Sequence, residues 1–394
     1  MIIKTTLCNR VHPEYGDAHI PFPIPSNEYD HIIEMLDAMG FGDALAQDCR
    51  VVEISSTYPI LNRLVTQNVN VDELDYLAKR LDSFSKDEAD QFLAMASKLC
   101  LSDIKDFINL TFCCQQATVI TSFFDLERVG KSHSLTVNGG AMPVEEYSKV
   151  DGQSVALDLI QSGKGVVTPY GVVYDNSMKL EQVYDGIHFP EYHYESVIAT
   201  VTLTRWDQEG REMLYLPCSD IKITRALQRL GVDNASQYTA VMESDRFCDE
   251  VCRMFNEEFA LNDRLDALNS LARCCQEFTD DQMEKYNTIF DCAWPQTPDE
   301  VVYLAEDLQH FTVVTDISSI EDYGKIVAAE MEIEPCLLEF LDYDRLGQRR
   351  INEEGGVFGE RGYIAYKGAH PEIKEILARH ILPTQDPQMG GLTQ

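Results

Sequence analysis

Residues 71–98 read VDELDYLAKRLDSFSKDEADQFLAMASK, and residues 265–292 read LDALNSLARCCQEFTDDQMEKYNTIFDC. At an offset of 194, Asp72 falls on Asp266, Leu74 on Leu268, Leu77-Ala78 on Leu271-Ala272, Phe84 on Phe278 and Asp87 on Asp281. The register holds without a gap from 72–131 to 266–325: Leu110 meets Leu304, Thr118-Val119 meets Thr312-Val313, Glu127 meets Glu321, and Gly130-Lys131 meets Gly324-Lys325. Val71, Leu74, Leu77, Ala78 and Leu81 lie at helical spacing, as do Leu265, Leu268, Leu271, Ala272 and Cys275. Each stretch then restarts at a capping box, Ser85-x-x-Glu88 or Thr279-x-x-Gln282, in which side chains at both ends satisfy backbone N–H groups of the first turn. The apolar stripe after it repeats too, Phe92, Met95, Ala96 and Leu99 against Tyr286, Ile289, Phe290 and Ala293. A third helix opens at Thr297-Pro298-Asp299-Glu300, with Pro at its first position. Two stretches that differ at most positions yet keep caps and buried faces specify one fold, so the chain reads as a tandem duplication.

Outward from these helices the same parts recur. In the second half, SVIATVTLT (196–204) and Glu212–Leu216 read as a hairpin around the turn at 207–210; Ser219 opens a helix that stops at Gly231, and a strand follows near Tyr238–Met242. The first half has strands near Ile2–Leu7 and His19–Ile24, a helix from Ser26 to the Gly40 stop, and a strand at Arg50–Ile54. After the helical middle come a strand (Phe311–Thr315), a helix around Ile320–Glu330, an acidic stretch to Gly347 and a strand at Tyr363–Tyr366, matched by Ala117–Thr121, Leu126–Gly130 and Val172–Tyr174. The fold class is α+β, with three subdomains per copy (α/β, helical, α/β). The boundaries fall at 1–70, 71–116 and 117–190, then 191–260, 261–310 and 311–382, with a flexible tail at 383–394.

Charge dominates the composition: 66 Asp and Glu against 32 Lys and Arg, a net of -34 on 394 residues. A hydrophobic content of 44% with 17 Phe and 18 Tyr argues for folded domains rather than an acidic disordered chain. The sign disfavours direct binding to nucleic acid or an anionic membrane and favours a basic partner. No apolar run approaches a bilayer span, and MIIKTTLCNR lacks the core of a signal peptide, so a cytoplasmic protein is expected. The 12 Cys include no CxxC and read as reduced, mostly buried thiols. Residues 1–190 hold 27 acids and 14 bases; within 241–344 there are 26 acids and only 6 bases. That excess far exceeds the net of about 2–8 that solubility asks of a small domain.

Reaction chemistry is thin. GxSxG, Walker A, GxGxxG and HExxH are missing. Ser162-Gly163-Lys164-Gly165 reads as a turn, and His188-x4-His193-x-Glu195 lies on a loop without a third His. Asp342-Tyr343-Asp344 has no acid–base partner nearby, and Asp151-Gly152-Gln153 stands in its place in the first half. Neither a cofactor, a metal site nor a catalytic centre is expected.

The segment from Leu265 to Tyr366 resembles the ArdA-type antirestriction proteins, DNA mimics carried on mobile genetic elements. The likeness rests on RLDALNSLA, SSIEDYGKIVAAE, PCLLEFLDYDRLGQR and GYIAY, with YLPCSDIKITRALQRLGV before them. The first half keeps LDYLAKRL, DLERVGK and the Pro-Tyr-Gly-Val-Val-Tyr ending but has no match to FLDYDRLG. The resemblance implies an elongated, curved body imitating bent B-form DNA, dimers or an intrachain pseudo-dimer, and blockade of the DNA-binding groove of type I restriction–modification enzymes (the methyltransferase core with its specificity subunit). The acids expected to carry the mimicry are Glu277, Asp280, Asp281, Glu284, Asp299, Glu300, Glu306, Asp307, Glu321, Asp322, Asp342 and Asp344. Alternatives are an acidic adaptor or chaperone for another basic DNA-binding partner, an enzyme with an unrecognised site, and the acidic shell of a salt-loving protein.

Overall fold

A computed structural model describes residues 2–207, 210–315, 317, 319–331 and 334–380. The chain mixes helix and antiparallel sheet, an α+β arrangement, and falls into two compact units. The first holds the chain up to Glu195 together with Gly210–Glu212 and Ser219–Asp233; the second holds Met213–Cys218, the segment from Ser196, and the chain from Asn234.

In the first unit, β1 (Ile3–Asn9), β2 (Asp17–Phe22), β3 (Cys49–Ser56) and β4 (Asn68–Val69) form a sheet in the order β2-β1-β3-β4, and α1 (Tyr29–Ala38) packs into its core through Ile32, Ile33 and Leu36. The core continues without a break into α2 (Val71–Asp82), α3 (Lys86–Lys98) and α4 (Ile104–Leu110). Ser85 accepts from the N–H of Glu88 and Glu88 accepts from that of Ser85, so the capping box is formed. A second box at Asn70 and Glu73 starts α2. Leu99, expected on the buried stripe of α3, is 39% exposed, because α3 ends at Lys98 and the chain turns at Cys100, whose φ is 57°. Likewise Ser26 does not cap α1; its hydroxyl donates to Glu195 at 2.5 Å, and the helix begins at Tyr29.

A small sheet follows, β5 (Thr118–Ile120), β6 (Val166–Thr168) and β7 (Gly171–Tyr174) in the order β5-β7-β6, with α5 (Leu126–Val137), the short α6 (Val144–Tyr147) and α7 (Gly152–Gln161). α5 and α7 cross in close contact because Gly130 lacks a side chain: a Cβ there would lie 1.8 Å from the carbonyl oxygen of Gly152.

Next come β8 (Ala199–Arg205), β9 (Arg211–Leu216, of which Met213–Leu216 belong to the second unit) and β10 (Tyr238–Glu243), which order as β10-β8-β9. Between β9 and β10 the chain forms α8 (Asp220–Leu230), capped by Ser219 and ended by Gly231 at φ 69°, and α8 belongs to the first unit. After α9 (Asp249–Arg253) and a π-helical turn (Met254–Glu258) come α10 (Leu265–Cys275), α11 (Asp280–Ala293) and α12 (Pro298–Glu306). Then follow β11 (Phe311–Thr315), α13 (Ile320–Glu330), α14 (Tyr343–Glu354), β12 (Val357–Phe358), β13 (Gly362–Tyr366) and α15 (Pro371–Ala378), the sheet ordering as β11-β13-β12.

The starts of α10, α11, α12 and α13 lie 194 residues after those of α2, α3, α4 and α5. From α14 on the offset becomes 191, as with α14 and α7 or β13 and β7. The crossing of α13 and α14 repeats the glycine contact, since a Cβ on Gly324 would lie 1.9 Å from the Tyr343 carbonyl oxygen. The sequence leaves α7 and α14 unread: α14 carries few apolar residues, Leu346 and Ile351 among charged ones, so its periodicity is faint. The tail at 383–394 lies outside the described residues.

Candidate partner-binding acidic surface

Capping places many of the candidate acids. Thr279 accepts from the Gln282 N–H and starts α11 with Asp280 and Asp281 in its first turn, where carboxylates favour the positive end of the helix dipole. Asp280, Asp281 and Glu284 are exposed, and so is Glu277 in the preceding turn. Asp281 is 3.1 Å from Lys285, and Asp280, fully exposed, is 3.8 Å from Arg246. Thr297 caps α12, which presents Asp299 and Glu306 to solvent. Those two acids lie seven residues apart, about 10 Å along the axis and on one face.

Not every candidate acid is available. Glu300 holds the guanidinium of Arg379 at 2.7 and 3.0 Å and accepts from the Gln296 N–H at 2.7 Å; the arginine's hydrogen bonds hold its carboxyl below the usual range. Asp307 is taken by the Tyr366 hydroxyl and His310 Nδ1. Burial pushes its carboxyl up, but these hydrogen bonds outweigh it and leave the group below its ordinary value. Asp322 accepts from the Ser319 hydroxyl at 2.6 Å and from Lys325 at 3.2 Å, and Lys325 also pairs with Glu321 at 2.9 Å. Asp342 caps α14, accepting from the Arg345 N–H at 3.0 Å, and Asp151 caps α7 in the same way. Asp344 is exposed in the first turn of α14, in a shallow groove with Asp342, Arg345 and Arg349. Glu277, Glu284, Asp299, Glu306 and Asp344 carry no ion pair among the described residues.

Asp280 and Glu284 meet at a cleft enclosing about 680 Å³, lined also by Asp245, Glu360, Arg246 and Arg361, with Met283 and Ile317 among its apolar contacts. The sequence did not single out Asp245 or Glu360; both sit in turns, and nothing in their local pattern announces the cleft. Arg246 is engaged by the Phe278 carbonyl at 2.8 Å, and Arg361 by Glu250 at 3.3 Å.

The first unit uses acid differently. Asp72, 8% exposed, accepts from Arg225 Nε at 2.9 Å, Arg229 Nη1 at 3.0 Å and the Tyr29 hydroxyl at 2.7 Å. Burial would raise this carboxyl, yet the two arginines hold it below its ordinary value. Arg229 also binds Glu212 at 2.8 Å, whose other oxygen, Oε1, is buried without a partner. Burial therefore outweighs Arg229 and pushes Glu212 up to about 6.

His188 pairs with Asp185 at 2.7 Å and His193 with Glu191 at 3.4 Å, and among the described residues no cluster of His, Cys, Asp and Glu is arranged to hold a metal. The same segment forms an aromatic strap over α2, with Phe189 stacked on Tyr76 and Tyr184, and Arg80 between Phe112 and Tyr192. Ser162 C-caps α7, and the segment after it leads into β6. Cys274 is half-buried and Cys275 buried, and burial raises both thiols. No helix among the described residues is long and apolar enough to cross a membrane.

No protein-family model, no curated protein and no solved structure matches the chain.

Proposed function

We propose that the chain is a tandem-duplicated antirestriction protein of ArdA type, an acidic mimic of B-form DNA that acts by binding and not by catalysis. Its partner is the DNA-binding groove of a type I restriction–modification enzyme in the cytoplasm. The observation that carries the reading is the concentration of 26 acids against 6 bases within 241–344, with Glu277, Asp280, Asp281, Glu284, Asp299 and Glu306 turned to solvent on and beside two successive helices. Duplex DNA carries a charge about every 3.4 Å per strand, so the roughly 10 Å between Asp299 and Glu306 is close to three phosphate steps. The resemblance of the Leu265–Tyr366 segment supplies the target class. Each exposed contact contributes under about 1 kcal/mol, so affinity is spread over many acids.

The test is competition: labelled duplex bound to a type I methyltransferase core, titrated with this protein across a salt series. Displacement near one-to-one stoichiometry that weakens steeply with salt is the expected result. No displacement at low salt would overturn the reading in favour of an acidic adaptor for a different basic protein.

A further inference from the structure

We propose that Trp294 is a specificity contact beside the displayed acids, an indole that stacks against an arginine of the partner; the inference deepens the proposed function and rests on it for the identity of that partner. Trp294 follows α11 as its C-cap and opens the turn to α12, whose first turn displays Asp299. Its backbone is left-handed, with φ 45° and ψ 66°, and its N–H donates to the Phe290 carbonyl at 2.9 Å.

Such a helix end is glycine's place, because a residue with a Cβ is strained there. Elsewhere the chain follows that rule: Gly40, Gly231 and Gly355 come after α1, α8 and α14 with φ of 74°, 69° and 64°. At 294 a bulky aromatic stands instead, and Pro295 adds to the strain by pushing the residue before it toward extended backbone. Trp294 is not a core plug either, since 38% of it is exposed. Its counterpart 194 residues earlier, Cys100, is left-handed too, at φ 57°, and exposed, but its side chain is small. Both repeats keep the turn, and the half rich in displayed acids puts an indole on it.

The neighbours show what the indole takes. The guanidinium of Arg253 lies over the ring, 5.6 Å from its centre, and is steadied by Glu258 at 2.6 Å. Glu258 is exposed, as are Glu257 before it and Asp299. An indole set among acids draws a guanidinium in two ways, through the negative face of the ring and through the field of the carboxylates. It also separates arginine from lysine, because the flat, weakly hydrated guanidinium stacks on aromatic rings while the compact ammonium keeps its water.

The test uses the full chain and two assays, displacement of labelled duplex from a type I methyltransferase core and binding of fluorescein-labelled hexa-arginine. Trp294→Gly places at the turn the residue that suits its backbone. The expected result is a urea unfolding midpoint equal to or above that of the unaltered protein, with affinity about fivefold lower in both assays. Trp294→Phe, which keeps a ring, should fall in between, and binding of hexa-lysine should change little. Unchanged affinity in Trp294→Gly would overturn the proposal. A lower urea midpoint would overturn it as well, because the packing of the indole would then outweigh the strain of its backbone and explain its presence. A protein that binds hexa-arginine through Trp294 but displaces no duplex would retain the contact and reject the DNA-mimic reading.

Discussion

Asp72 on α2 and Asp266 on α10 occupy the same register 194 residues apart. Asp72 is buried against Arg225, Arg229 and Tyr29, whereas Asp266 is exposed and has no ion pair among the described residues. The difference arises from α8, which belongs to the first unit and brings the two arginines one turn apart. One helix thus uses its carboxylate to hold a neighbour, and its counterpart leaves the carboxylate to solvent. Identical residues in a repeated pattern need not share a role when the partner comes from distant sequence.

The sharpest way to break this comparison is to substitute both positions. Asp72→Asn leaves two buried guanidiniums short of a partner, and its expected cost is roughly 3–5 kcal/mol in urea unfolding of the first unit. Asp266→Asn should change stability by less than about 0.5 kcal/mol. Equal effects at the two sites would refute the contrast.

Where the halves agree, effects should match. Gly130→Ala and Gly324→Ala each drive a methyl into a carbonyl oxygen of the crossing helix, at 1.8 and 1.9 Å. Each should cost about 3 kcal/mol or more, measured as a loss of unfolding free energy. A tolerated alanine at either site would mean that the crossing is looser in that half.

The buried cluster also sets a pH response. Glu212 is raised from 4.5 to about 6, so between those values the folded chain binds a proton that the unfolded chain does not. Its contribution therefore improves as pH falls from above 6 toward 4.5, by roughly 2 kcal/mol. Asp72, held low, acts in the opposite direction, and its contribution is lost on acidification below its ordinary range. Glu212→Gln should remove the slope between pH 4.5 and 6 in a stability–pH profile; an unaltered slope would place the titration elsewhere.

The smallest effects belong to the exposed acids singly. Glu277→Gln, Asp299→Asn or Glu306→Gln should each weaken partner binding by under about 1 kcal/mol, less than fivefold by titration calorimetry. A single loss of a hundredfold would signal a localised hot spot instead of a spread field.

The parts legible in the sequence are those fixed by local rules. The Ser85 and Thr279 boxes, the Gly231 stop and β11 over Phe311–Thr315 follow from caps, turns and periodicity within a few residues. Gly130 and Gly324 were visible as a repeated residue, but their reason, a helix crossing, needs the second helix in place. The division of the acids was illegible: Glu300 is tied to Arg379 and Asp307 to Tyr366, partners 79 and 59 residues away. Arg225 and Arg229 at helical spacing in an acidic chain were the available sign that a carboxylate lay buried opposite them.

The most direct test neutralises four acids in each half and repeats the competition for the methyltransferase core. One protein carries Glu277→Gln, Asp280→Asn, Asp281→Asn and Glu284→Gln; the other carries Glu34→Gln, Asp37→Asn, Glu145→Gln and Glu146→Gln, at exposed positions of the first half. The predicted result is a loss of roughly 2 kcal/mol, about thirtyfold in affinity, for the first protein and little change for the second. Equal losses in both would contradict the account, since they would mean that total charge, and not the second half's displayed acids, governs binding.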